Sequence, residues 1–293
     1  MKYTEQLHPI CSFLYFMVVI FASMLTTDPI VLSICFLSGV VLCGIIIGAK
    51  KLFQSLFYTL FLMALITLTN PIFVHQGATI LFFMNDNPVT KEALVYGFFS
   101  SMMVASVFFW CRCYSEIMTS DKFIYLFGRV VPKLSLVLSM TLAFIPKMTR
   151  KFREIDEAQK ALGIYSGESW TDKLRGKFRV MSILLTNCLE SGVDTANSMR
   201  ARGYGLFGRT SFAVYRFNAS DAIYLALTIV FGASALYFIL SGNADFSFYP
   251  IISKIELSPS SITMYISLFL LAGLSIFMEV KENILWRFLK SKI

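Results

Sequence analysis

The sequence predicts an all-α, polytopic membrane protein with about six transmembrane helices and a cytoplasmic helical insert. The 293 residues are 56% hydrophobic and only 15% charged, whereas soluble domains have about 25% charged residues. Apolar runs of membrane-spanning length recur along the chain. The basic residues are concentrated between the fourth and fifth of these runs. Lipid rather than a single water-soluble core is therefore expected to solvate much of the apolar surface.

Six nearly charge-free segments are expected to span the bilayer as helices. They divide the chain into N-terminal transmembrane helices (1–110), an insert (111–218) and C-terminal transmembrane helices (219–293). The expected spans are Pro9 to Thr26, Pro29 to Ile47, Leu52 to Val74, Leu94 to Trp110, Ala222 to Leu240 and Ser261 to Met278.

The distribution of the 26 Lys and Arg residues predicts the orientation. If both termini are cytoplasmic, the outer loops hold only Lys91 and Lys254, and all other basic residues lie inside. The insert alone carries a net charge equal to the +8 of the whole chain. Attraction to anionic lipid explains the sign of this charge. The expected location is therefore the cell membrane, with the N- and C-termini on the cytoplasmic side.

The insert is predicted to form a series of helices. Asp121 to Val131 is followed by the segment 133–147, which is apolar on every face and too short to span the bilayer easily. A helix of alternating charge then covers 148–162. A long amphipathic helix runs from Trp170 to Arg202, with apolar residues at steps of three to five. That apolar stripe is Leu174, Phe178, Met181, Leu185, Cys188 and Val193.

Two of these helices end in Ala-x-Gly, at Ala161-Leu162-Gly163 and Ala201-Arg202-Gly203. Glycine is favoured after a helix C-terminus because it adopts the left-handed conformation. Arg202 stands in the last turn, where the helix dipole favours a cation, and its planar donors fit a partner carboxylate. Arg200 lies about 200° around the helix from Arg202, so the two side chains cannot serve one site. A routine helix cap with a solvated arginine is the simpler alternative.

The chain resembles the transmembrane T component of energy-coupling factor (ECF) transporters, the family of CbiQ and EcfT. The resemblance covers nearly the whole length. It rests on four blocks: Asn70-Pro71-Ile72-Phe73-Val74-His75-Gln76-Gly77, Asp121-Lys122-Phe123-Ile124-Tyr125-Leu126-Phe127-Gly128, Pro132-Lys133-Leu134-Ser135-Leu136-Val137-Leu138-Ser139-Met140, and residues 189–205, which include Ser198-Met199-Arg200-Ala201-Arg202-Gly203-Tyr204-Gly205.

The resemblance implies an energy-coupling subunit of an ABC importer for micronutrients, either vitamins or metal ions such as cobalt and nickel. In this family, two cytoplasmic coupling helices end in Ala-Arg-Gly-like motifs that dock on two ATP-binding-cassette subunits. A separate integral-membrane S component binds the substrate, so this sequence does not identify it. ATP would be bound by the partner subunits, and no cofactor or metal is expected on this chain. A bacterial source follows from the same resemblance.

The resemblance also implies site residues. The expected ATPase-docking residues are Arg200, Ala201, Arg202 and Gly203 at one helix end and Lys160, Ala161, Leu162 and Gly163 at the other. At the second end Leu162 stands where the family usually has arginine. Either Lys160 supplies the charge, or this end docks by apolar contact. The expected contacts with the S component are Leu134, Val137, Leu138, Leu142 and Ile145.

Other functions fit the sequence less well. An enzyme is disfavoured because the only histidines, His8 and His75, are expected on opposite membrane sides, and because the chain lacks a Gly-x-x-x-x-Gly-Lys-Ser/Thr loop. The six cysteines have neither disulfide-type nor zinc-type spacing. A substrate-translocating ABC permease and a non-catalytic basic membrane scaffold are the alternatives. The dispersed aromatic residues disfavour nucleic-acid binding.

Overall fold

The computed structural model describes residues 7–84, 87–128, 131–163, 170–206, 215–244, 246–253 and 258–290. These residues form helices and one β-hairpin, Ile80–Met84 (β1) with Asn87–Thr90 (β2), so the predicted all-α class is confirmed. The helices are α1 Pro9–Met24, α2 Pro29–Ile47, α3 Ala49–Phe73, α4 Lys91–Ile117, α5 Ser120–Gly128, α6 Pro132–Ala161, α7 Trp170–Ala201, α8 Ala219–Phe238 and α9 Pro259–Lys290.

Five of the described helices, α2, α3, α4, α8 and α9, are long and apolar enough to cross a membrane. The chain is therefore a multi-pass membrane protein. The first predicted span, α1, has 16 residues and a length of about 24 Å, which is less than the roughly 30 Å of a hydrocarbon core. A π-helical segment, Ile239–Asn243, lengthens α8.

The fourth and sixth predicted spans are longer than expected. The fourth, predicted for 94–110, begins at Lys91 because the Thr90 hydroxyl accepts a hydrogen bond from Ala93 N at 3.3 Å and caps the helix. The sixth, predicted for 261–278, continues to Lys290. It therefore includes Glu279, which is only 1% exposed.

The chain divides into two compact units. One contains Met1–Phe123 and Tyr215–Ile293, and the other contains Ile124–Val214. The second unit lies inside the predicted insert, 111–218, while residues 111–117 continue α4. The three-part division of the chain stays a prediction.

Large aromatic side chains fill the core of the first unit. Tyr15, Trp110 and Tyr224, from α1, α4 and α8, are at most 1% exposed. Their polar atoms are satisfied by neighbouring helices: Trp110 Nε1 donates to the Cys35 carbonyl at 2.9 Å, and Tyr224 Oη lies 2.7 Å from Ser275 Oγ. Such bonds join helices where lipid offers no alternative partner.

Helices α3 and α4 approach each other closely at Gly97. A Cβ atom at Gly97 would lie 2.9 Å from the Cβ of Asn70 and 3.1 Å from the backbone oxygen of Thr67. The Asn70 side chain donates to the Ala93 carbonyl at 2.7 Å, and Thr67 Oγ1 lies 3.2 Å from Ser101 Oγ. A small residue at position 97 therefore permits two polar contacts between the helices.

Gly97→Ala is expected to destabilise the first unit, because the Thr67 backbone cannot move aside for a methyl group. Overpacking of this kind costs about 1–3 kcal/mol. The measurement is the melting temperature of the purified protein in detergent. Gly273→Ala is the matched control, since a Cβ at Gly273 in α9 has no atom within 4 Å. Equal melting temperatures for the two variants would contradict the close approach of α3 and α4.

Candidate docking site on the second unit

Helix α6 is one continuous helix of 30 residues, Pro132–Ala161. The prediction of two helices, 133–147 and 148–162, was wrong. Pro146 suggested a break because proline lacks an N–H and crowds the preceding turn. The many backbone hydrogen bonds on either side hold the helix together despite that loss. The first helix of the insert, predicted for 121–131, is α5 and ends at Gly128.

The first half of α6 presents an apolar face. Leu134 and Val137 are each 62% exposed and Ile145 is 56% exposed, whereas Leu138 and Leu142 are half-buried. These are the five residues expected to contact an S component. Their spacing places them on one side of the helix. Within the second unit, this side is available for contact with another hydrophobic surface.

Helix α7 packs through a face that the sequence analysis did not identify. Gly176, Val180 and Leu184 are its buried residues, and their spacing of four places them on one face. Most of the predicted apolar stripe lies elsewhere: Phe178 is 68% exposed and Leu185 is 54% exposed. Cys188, also predicted for the stripe, does contact α6. The four-residue spacing of small and branched residues was a signal for the buried face, but the larger side chains of the stripe obscured it.

Helices α6 and α7 meet at Met148 and Cys188, where the Cys188 thiol donates to Met148 Sδ at 2.9 Å. Ala161 follows Met148 along α6 at the same sequence separation as Ala201 follows Cys188 along α7. Each helix end is therefore about 20 Å from the contact. The two ends are equidistant from the point at which the helices touch.

Chain length limits the angle between α6 and α7. Parallel helices would separate Ala161 from Trp170 by about 47 Å, but the nine residue steps between them span at most about 32 Å. The helix directions must therefore differ by more than about 90°, which places Ala161 and Ala201 about 30–40 Å apart. The two Ala-x-Gly ends are thus separate sites.

Both helix ends have the left-handed glycine that the sequence predicted. Gly203 has φ 81° and Gly163 has φ 71°. At the end of α7, Tyr204 N donates to the Met199 carbonyl and Gly203 N donates to the Arg200 carbonyl, each at 3.0 Å, which is the Schellman pattern. Ala201 and Arg202 are exposed beside this turn, as is Arg200.

The end of α6 differs in its charge. Leu162 is 73% exposed, and Ala161 and Gly163 are exposed beside it. Lys160 is also exposed, but its ammonium group lies 2.6 Å from Asp156, one turn earlier. Such i,i+4 pairs are weak on a solvated helix. Even so, the Lys160 charge is locally compensated, and the outermost side chain of this end is apolar.

Arg202 also lines a cleft of about 380 Å³. Lys147 and Asp194 contribute opposite charges to this cleft, and Ser191, Thr195 and Ser198 contribute hydroxyl groups. The side chains on α7 recur at three- and four-residue steps, so one face of the helix forms the wall. A polar, charged groove thus leads to the Arg202 end of the helix.

Comparison with known proteins identifies the family. The family model of CbiQ, described as cobalt transport protein, matches residues 4–214, which include both helix ends. The chain belongs to the CbiQ family. The predicted resemblance is confirmed.

Several relatives are named energy-coupling factor transporter transmembrane protein EcfT. The protein from Listeria innocua is 28% identical over 186 residues, which are 59% of this chain and 70% of the relative. The protein from Streptococcus equi is 24% identical over 236 residues, or 75% and 84% of the two chains. The protein from Bacillus selenitireducens is 31% identical over 106 residues, or 36% and 40%. The names of these relatives confirm the predicted role as an energy-coupling transmembrane component.

Val180→Ala is expected to loosen the packing of α7 on α6, because it removes two buried methyl groups. The expected loss is about 1–3 kcal/mol, seen as faster hydrogen exchange in α6 and α7. Val193→Ala is the matched control on the same helix, because Val193 is 60% exposed and alanine has the higher helix propensity. Equal rates of hydrogen exchange in the two variants would contradict the assignment of Val180 to the packing face of α7.

Proposed function

We propose that this chain is the energy-coupling subunit of an ECF-type importer that takes up a micronutrient, either a vitamin or a metal ion. It transmits ATP-driven movement of two ATPase subunits to a substrate-binding S component in the same membrane. The ATP is bound by the partners, and this chain is non-catalytic. The membrane is the bacterial cell membrane, with both termini of the chain in the cytoplasm.

The observation that carries this proposal is the pair of exposed helix ends at equal distances from the Met148–Cys188 contact. Two ATPase subunits need two docking sites that are far enough apart to be occupied together, and a separation of about 30–40 Å meets that need. The left-handed glycines end both helices abruptly. The exposed residues at each end, Ala161 with Leu162 and Ala201 with Arg202, can therefore contact a groove on a partner.

The Arg202 end is suited to an acidic groove. An exposed guanidinium group can make two parallel hydrogen bonds to one carboxylate, which a lysine cannot do. The Leu162 end is suited to an apolar groove, since Lys160 is paired with Asp156. The two ATPase contacts are therefore chemically unequal.

The apolar side of α6 is the proposed contact for the S component. Leu134, Val137 and Ile145 are exposed there, and Leu138 and Leu142 complete the face. An apolar face without fixed polar partners allows a neighbouring membrane protein to slide or tilt, because few directional bonds need to be broken. That property suits a component that must be moved during transport.

Arg202→Glu is expected to abolish the association with one ATPase subunit. Leaving a partner carboxylate unpaired and opposite a like charge costs about 2–5 kcal/mol, which is at least a thirtyfold loss of affinity. The measurement is the amount of ATPase that copurifies with the tagged full chain, together with substrate uptake. Arg153→Glu, on the exposed side of α6, makes the same charge change and should retain ATPase copurification and substrate uptake. Undiminished assembly with Arg202→Glu would exclude the docking role.

Leu162→Glu and Leu162→Arg are expected to have different effects at the other end. The glutamate variant should weaken ATPase association, because a charge replaces the apolar contact. The arginine variant restores the residue that the family usually has and should assemble at least as well as the wild type. The assay is the same copurification. If both variants assemble equally, the Ala161–Gly163 end is not a docking site.

A further inference from the structure

The N-terminal half of α7 has an apolar surface that no described helix of its own unit covers. Its members, called the α7 stripe, are Leu174, Phe178, Met181 and Leu185. They are 41%, 68%, 47% and 54% exposed, respectively. Trp170, one turn before Leu174, is 74% exposed. Large apolar side chains exposed together indicate a surface that contacts lipid or another protein.

Helix geometry separates the α7 stripe from the packing face. At 100° per residue, the four side chains of the stripe fall within about 60° of one another. The buried residues Gly176, Val180 and Leu184 are centred about 130° away. Cys188, which contacts Met148 of α6, falls between the two sets, about 50° from the centre of the stripe. The stripe therefore lies beside the contact, and the contact between the two helices leaves its side chains exposed.

Cations lie on both flanks of the stripe. Lys177 lies on one side, about 70° from the centre of the stripe, and Arg175 lies on the other, at about 90°. Lys173 is on the same side as Lys177 but farther round, at about 110°. All three are exposed. Their methylene chains can extend along the apolar surface while the charges reach outward. Among residues 170–185, Asp172 is the only acidic side chain and Arg179 adds a fourth cation. The second half of α7 has the opposite balance, with Glu190, Asp194 and Arg200.

This arrangement matches an anionic lipid surface better than an apolar protein surface. A helix that lies in the headgroup region has apolar and aromatic side chains on one face and Lys or Arg beside them. Tryptophan is favoured at the boundary between headgroups and acyl chains. In the order of the chain, the unit also lies between two membrane-spanning helices, α4 and α8.

We infer that the N-terminal half of α7 is an interfacial anchor that binds the anionic phospholipids of the cytoplasmic leaflet. The α7 stripe and Trp170 enter the acyl-chain boundary, and Lys173, Arg175 and Lys177 bind the phosphate groups. This role is independent of ATPase docking, which involves the other end of the helix. Each cation near an anionic surface strengthens binding about fivefold.

The test uses the full chain in lipid nanodiscs with brominated acyl chains, which quench nearby tryptophan fluorescence. The nanodiscs contain either phosphatidylcholine alone or phosphatidylcholine with phosphatidylglycerol. Trp170 is one of three tryptophans, so its signal is the difference between the wild type and Trp170→Phe. Strong quenching of Trp170 is expected with phosphatidylglycerol, and much weaker quenching without it.

The variant Lys173→Gln, Arg175→Gln, Lys177→Gln is expected to reduce the quenching to the level seen in phosphatidylcholine alone. The matched control, Arg150→Gln, Lys151→Gln, Arg153→Gln, removes three exposed cations of α6 and should leave the quenching unchanged. Circular dichroism confirms that both variants are folded. Equal quenching in the two lipids, or an equal effect of the two triple variants, would overturn the inference.

A protein partner on the stripe gives a different result. In that case Trp170 would be unquenched in both nanodiscs and accessible to a water-soluble quencher, and it would become protected only when an S component or ATPase was added. That outcome would also overturn the inference. The quenching measurement requires no partner subunit, so failure of the lipid anchor and failure of ATPase docking are distinguishable.

Discussion

The contact between α6 and α7 determines the geometry of the whole second unit. Val180 and Leu184 are buried on α7, and Met148 meets Cys188. Because the chain between the helices is short, this packing forces them to diverge. Every surface with a proposed role is then fixed: two helix ends far apart, an apolar side of α6, and the exposed α7 stripe beside the contact. Loss of this packing would change the relative positions of all these surfaces at once.

The membrane-embedded unit obeys a different constraint, which is that lipid cannot satisfy polar groups. Trp110 therefore donates to a carbonyl of α2, and Asn70 donates to a carbonyl of α4. These bonds require close helices: Gly39 supplies the space between α2 and α4, and Gly97 supplies it between α3 and α4. The second unit has few such pairs among its described residues, and its apolar sides are exposed. This contrast agrees with the proposed function, in which partner proteins contact the second unit.

Periodicity and length predicted most of the fold, because membrane spans and helix-ending glycines have strong local signals. Local signals predicted a helix break at Pro146, but the long helix α6 continues through this unfavourable residue. They also failed for β1 and β2, since a few apolar residues in a polar loop resemble many short segments. The packing face of α7 was missed because Phe178 and Leu185 are larger than Gly176 and Val180. Large side chains suggested the more hydrophobic face, but the helices can approach each other closely only where the side chains are small.

The position of the Met148–Cys188 contact suggests how α6 could transmit movement under the proposed function. Ala161 follows Met148 and Leu134 precedes it, at nearly equal sequence separations. A rigid helix that pivots at the contact would displace these two points by nearly equal distances in opposite directions. Pro146 lies within the same turn as that pivot and removes one backbone hydrogen bond there. The helix therefore bends most easily beside its pivot. Both bending and rotation of α6 would then transmit movement from the proposed ATPase-docking end to the apolar face.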